Sequence, residues 1–188
     1  METNMSMAQS QNGVLLVIDI QEKLSGVMPA GVRERVIEQV GILLTAAESL
    51  CVPVALTEQY PKGLGPTESA LKQRLPDVAP IFEKTVFSAA RVKALSQWLA
   101  DSGRRQIYLT GMETHICVLQ TAIDLLIEGY EVFVVEDAVS SRAKGNQFNA
   151  LQRLRRAGAV ITNVESLLFE WLGDASHPEF RKLAKLIV

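Results

Sequence analysis

An aspartate, a lysine and a cysteine stand in this chain, each shortly after a brief apolar run: Asp19 behind VLLVI, Lys84 closing IFEK, and Cys117 in IYLTGMETHIC. Together these types supply thiol chemistry: a nucleophile, a proton acceptor, and a cation that steadies both charged partners. A carboxylate at the end of an apolar strand is partly desolvated and suited to carrying a proton. A lysine in the same situation can aim a permanent positive charge into a pocket instead of out to solvent. Cys117 is expected near the start of a helix, where the positive end of the dipole lowers the thiol pKa and favours thiolate. Each residue taken singly has a structural explanation, as a cap, a solvated surface lysine or a small core hydrophobe. Their coincidence at three strand ends favours chemistry.

Those ends must be positioned by an α/β alternation. The pattern predicts strands over 14–18, 52–56, 81–83, 106–110, 132–135 and 160–162. Helices are predicted over 30–50, 68–74, 91–102, 115–128, 146–157, 164–172 and 178–186, several closed by glycine. Short β-branched runs separated by amphipathic stretches imply βαβ units with right-handed crossovers. The expected fold is a three-layer α/β/α sandwich around a six-stranded, mainly parallel, Rossmann-like sheet. In such folds functional residues lie beyond the carboxyl ends of the strands, near a switch in strand order.

The chain has 188 residues and is 48% hydrophobic, enough for a single domain over 13–188, with 1–12 expected as a flexible tail. Lys+Arg 19 against Asp+Glu 21, with no dense basic run, argues against nucleic acid and anionic membrane as partners and for a small-molecule substrate. The polar start lacks a basic n-region and an apolar h-region, so a cytoplasmic location is expected. Two distant cysteines and two histidines, with no CxxC pair, make a disulfide framework or zinc cluster improbable. Cys51, at a predicted helix end, reads as core or boundary, so Cys117 is expected to be the reactive thiol. His115 is two helical positions from Cys117 and faces away from it, which places it at a rim. Asp137 is expected to brace its loop. No glycine-rich phosphate loop follows any strand.

Four signals in order, VIDIQ with Asp19 and Gln21, EKTVFSA with Lys84 and Ser88, GMETHICVLQTAIDL with Cys117, and VVEDAVSSR with Asp137 and Arg142, resemble the isochorismatase-like cysteine hydrolases. The resemblance spans roughly residues 14–164 and implies an Asp19-Lys84-Cys117 triad. It also implies a cis peptide between Met112 and Glu113, and an oxyanion hole formed by the amides of Glu113 and Cys117. Gln21, Tyr60 and Phe87 are candidate substrate-binding residues. Metal-dependent nicotinamidases of that family carry an Asp-x-His pattern beyond the second strand. Here the stretch reads LTEQYPKGLGPT, so neither metal nor other cofactor is expected. The implied activity is hydrolysis of a small amide or related acyl compound through a Cys117 thioester. The alternative is a binding or scaffold protein that has kept the fold without turnover. Apolar stretches such as SLLFEWL, with the family resemblance, lead to the expectation of a homo-oligomer.

Overall fold

The computed structural model describes residues 7–187. Six strands form one sheet in the order β3-β2-β1-β4-β5-β6: β1 Gly13–Ile18, β2 Val54–Gln59, β3 Ile81–Lys84, β4 Gln106–Met112, β5 Glu131–Ser140 and β6 Val160–Thr162. Every neighbouring pair is parallel. The chain builds outward from β1 to β3, then returns to place β4 on the other side of β1. The switch in strand order therefore falls between β1 and β4.

The central strands are covered on both faces, which is why they read as unbroken apolar runs instead of alternating ones. All six residues of β1 are buried. Leu15 and Val17 face a core completed by α2 (Val32–Ser49) and α8 (Val164–Leu172). Val14, Leu16 and Ile18 face the opposite core, with α5 (Lys93–Asp101), α6 (Leu119–Ile127) and α7 (Lys144–Ala157). These are the three expected layers. The short helices Glu22–Ser25, Pro61–Leu64, Ser69–Lys72 and Phe180–Ala184 (α1, α3, α4 and α9) complete the set.

Two sequence-based boundaries moved for identifiable reasons. The predicted second strand, 52–56, includes Pro53, which has no N–H for a ladder; β2 begins just after it, at Val54, and runs on to Gln59 beside β3. β5 continues past Val135 to Ser140, after a register shift against β4 between Leu109 and Gly111.

Of the expected tail, residues 1–6 lie outside the described residues. The rest is docked, contrary to expectation. The Ala8 amide donates to Glu170 at 2.7 Å, the Gln9 amide to Tyr108 Oη at 2.9 Å, and Ser10 Oγ to the Trp171 carbonyl at 3.2 Å. The segment's polar residues, read as a sign of disorder, satisfy buried groups at the amino end of the sheet. No helix among the described residues is long and apolar enough to cross a membrane.

Candidate active site

Asp19 follows β1 directly, with its backbone in the left-handed region at φ 49. Its amide donates to the Thr57 carbonyl at 3.1 Å. The carboxylate is fully buried and both oxygens are held. Thr57 Oγ1 donates to Oδ1 at 2.6 Å, and Lys84 Nζ donates to Oδ2 at 2.6 Å. The lysine, at the end of β3, reaches past the end of β2 to make this contact. On the way it also donates to Gln59 Oε1 at 2.7 Å and to the Phe87 carbonyl at 3.2 Å. Neither the Asp19 nor the Lys84 side chain has any exposure. Such a pair tolerates its desolvation only because the remaining protons and lone pairs are satisfied.

The third member comes from the far side of the switch. β4 ends at Met112, the Met112–Glu113 peptide is cis, and the chain then makes a π turn over Thr114–Val118 before α6 begins. π turns inside helices recur at functional sites. Gly111 is needed just before this: its φ is 118, and a Cβ there would stand 2.0 Å from the Ile18 carbonyl oxygen. The absent side chain lets β4 lie close against the end of β1, where Asp19 projects. Cys117 is buried, with Asp19 and Lys84 as its charged neighbours.

The thiol pKa runs opposite to the sequence-based expectation. Burial, and then the charge of Asp19, push it up from 9.0 to about 12, against the opposing pull of Lys84. Dipole assistance at a helix end is a fraction of a charge, and removing a sulfur anion from water outweighs it. At neutral pH Cys117 therefore rests as a thiol.

Glu113 is buried. Its Oε2 accepts from the Arg142 amide at 2.9 Å and its Oε1 from Arg142 Nε at 3.1 Å, fixing the residue on the amino side of the π turn. His115 belongs to the rim, as expected, with Nδ1 2.9 Å from Ser141 Oγ and Nε2 3.3 Å from Asn146 Nδ2. Asp137 accepts from the Val164 amide at 3.0 Å and so braces the start of α8.

The candidate substrate contacts divide. Gln21 is fully buried and committed to backbone: Nε2 donates to the Gly65 carbonyl at 2.6 Å and Oε1 accepts from the Gln59 amide at 2.7 Å. It anchors the 59–65 loop and cannot meet a substrate, because its hydrogen-bonding groups are already occupied. Tyr60 is half exposed and, with Pro61, Lys62, Glu83, Lys84 and Thr85, lines a cavity of about 390 Å³. Phe87 turns its ring to solvent while its carbonyl holds Lys84. Thr57 and Gln59, which fix the acid and the cation, carry no motif in the sequence; only the parallel register of β2 brings them into the site. Three buried hydroxyls, Ser88 Oγ, Thr110 Oγ1 and Thr114 Oγ1, have no partner among the described residues. Nor do three or more His, Cys, Asp or Glu there gather as a metal site.

The isochorismatase domain family model matches residues 13–166. The chain belongs to this family. Among its relatives, the secreted isochorismatase effector Isc1 of Phytophthora sojae is 42% identical over 183 residues, covering 94% of this chain and 84% of the relative. Isochorismatase domain-containing protein 2 of Bos taurus is 41% identical over 177 residues, covering 94% and 83%. In three dimensions this isochorismatase-family chain is similar to the MAR1 ribonuclease of Caenorhabditis elegans, with TM-score 0.91, 38% identity, and 97% and 92% of the two chains covered. That likeness overturns the exclusion of nucleic acid drawn from composition. A formal charge of −2 averages over the whole chain and is blind to cations gathered at one place.

Proposed function

We propose that this isochorismatase-family chain is a cysteine hydrolase of small amides or related acyl compounds. The observation that carries the reading is the 2.6 Å Asp19–Lys84 pair, wholly buried beside a buried thiol. A stability role alone gives little reason for such a pair, since well-packed apolar residues serve a core as well or better.

The thiol proton passes to Asp19 as Sγ attacks the substrate carbonyl carbon, so that no free thiolate need accumulate. Lys84 offsets the negative charge shared by the carboxylate and sulfur. The carbonyl oxygen becomes an oxyanion that the amides of Glu113 and Cys117 receive. Protonated Asp19 gives its proton to the leaving nitrogen as the C–N bond breaks, leaving a Cys117 thioester. Water then attacks the thioester, Asp19 takes its proton, and the S–C bond breaks to release the acid. The proton returns to sulfur. Thr57 holds the carboxylate in orientation throughout.

Intact-mass measurement after exposure to a panel of small amides and esters tests the reading. An acyl increment on Cys117, absent from Cys117→Ala and strongly reduced in Asp19→Asn, is expected. Turnover that survives in Cys117→Ala would overturn it.

Action on RNA is a second reading, favoured by the 38% identity with the MAR1 ribonuclease. It predicts cleavage of a short single-stranded RNA by the purified chain, and Cys117→Ala shows whether the thiol site is involved.

A further inference from the structure

A second cavity, of about 430 Å³, opens between the first turns of α2 and α7, lined by Pro29, Val32, Arg35, Ser140, Ser141, Lys144, Gln147, Phe148 and Leu151. Two features of the sequence leave it rich in donors. α2 starts behind Gly31 and α7 behind Ala143, neither of which has a side-chain oxygen to cap the helix. The amides of Lys144 and Gly145 have no acceptor among the described residues. Two long helices thus turn their positive ends toward one space, with Arg35 and Lys144 beside it.

Ser140 is the independent observation. It closes β5, is 1% exposed, lines the cavity, and its hydroxyl has no hydrogen-bond partner among the described residues. With its residue almost wholly enclosed, that hydroxyl meets only what enters the cavity, so a ligand or water there supplies its hydrogen bond. Ser141 beside it is already engaged with His115. Acidic groups face these cations too: Glu34 stands in the first turn of α2, and Asp137 lies within electrostatic reach of Arg35.

Two cations, a free hydroxyl and two free amides together offer more donors than a carboxylate's two oxygens use well, but suit the three terminal oxygens of a phosphate. The other wall is apolar, with Leu151, Val32 and the ring of Phe148, which is 65% exposed. We propose that this cavity binds a phosphate monoester carried on a small planar aromatic body. The phosphate rests on Ser140, Arg35, Lys144 and the first amides of α7, and the body on Phe148 and Leu151. This site is independent of the thiol chemistry proposed above.

Calorimetric titration of the full chain with AMP, adenosine and inorganic phosphate tests it, with Arg35→Ala, Lys144→Ala, their double variant and Phe148→Ala. AMP is expected to bind, with adenosine weaker by about tenfold or more, since a hydrogen bond to a charged group is worth about 1.5–3 kcal/mol. Each cation variant should lose about tenfold and the double variant more, at unchanged melting temperature, because both side chains are exposed. Phe148→Ala should weaken AMP and leave inorganic phosphate unaffected. AMP that binds no better than adenosine, fails to bind at millimolar concentration, or is indifferent to the double variant overturns the proposal. A short oligonucleotide with a 5′-phosphate, compared with its 5′-hydroxyl form, identifies the source. Phosphate-dependent binding lost in the double variant points to a nucleic-acid end, and binding of AMP alone points to a free mononucleotide; both uphold the site.

Discussion

Lys84 Nζ lies 2.6 Å from Asp19 Oδ2 with neither side chain exposed, so each charge is compensated only from within the protein. Removing one partner strands the other. Lys84→Met is expected to destabilise the fold by about 3–5 kcal/mol, and Asp19→Asn by a comparable amount. The double variant should be more stable than the sum of the two single losses implies. Chemical denaturation of all four proteins checks this, and strict additivity would mean that the two residues act separately.

Iodoacetamide at pH 7 should label Cys51 before Cys117. Cys51 is exposed, whereas Cys117 is buried and its pKa is pushed up to about 12 by desolvation and the Asp19 charge. Alkylation follows the thiolate fraction and access, and Cys117 is poor in both. This reverses the order drawn from motif position. Peptide mapping over a time course decides it, with faster labelling of Cys117 showing that a thiolate predominates at rest.

The same shift predicts alkaline sensitivity. Below pH 9 the thiol is protonated in both folded and unfolded chains and contributes nothing. Between 9.0 and about 12 the unfolded chain sheds the proton that the folded chain keeps, so stability falls as pH rises. Tyr108, raised from 10.0 to about 12 by burial, acts in the same direction from pH 10 upward. Cys117 can account for up to about 4 kcal/mol of the loss. Melting curves of the wild type and Cys117→Ala from pH 8 to 11 should diverge in slope above pH 9, and parallel slopes would argue against the buried thiol.

Gly111→Ala should abolish or severely impair folding, because the new Cβ would meet the Ile18 carbonyl oxygen at 2.0 Å in a left-handed backbone. Gly145→Ala is the control, with nothing within 4 Å of its Cβ position. Soluble yield and melting temperature compare the two; a well-folded Gly111→Ala protein would show that β4 can draw back from β1.

Thr57→Val removes the hydroxyl that holds Asp19 Oδ1 while keeping the side-chain shape. A cost of about 1–3 kcal/mol is expected from the lost donor, together with slower acylation of Cys117. Stopped-flow acylation, set against melting temperature, separates the effects; unchanged acylation would make Thr57 purely structural.

How much of this was legible follows from which forces act locally. Asp19, Lys84 and Cys117 could be found because a parallel sheet delivers the residues after its strands to one edge, and apolar runs mark those strands. Thr57 and Gln59 were not found, since their role depends on β2 lying between β1 and β3 in a particular register. Gln21 was misread for a related reason: its neighbours at Gln59 and Gly65 are far off in sequence, so a buried loop anchor looked like a polar residue awaiting substrate. The thiol's pKa was reversed because helix position is visible in a sequence and desolvation is not.

The docked segment before β1 bears on where this chain can be cut. The family match begins at residue 13, inviting a cut there. Such a cut would remove the amide that Glu170 receives from Ala8 and both bonds between Gln9 and the Tyr108 hydroxyl. Beneath that hydroxyl, the Tyr108 ring packs on Trp171 at 5.0 Å. Trimming to the homology limit would unlatch α8 from the sheet, so the unit that folds is longer than the unit that is recognised.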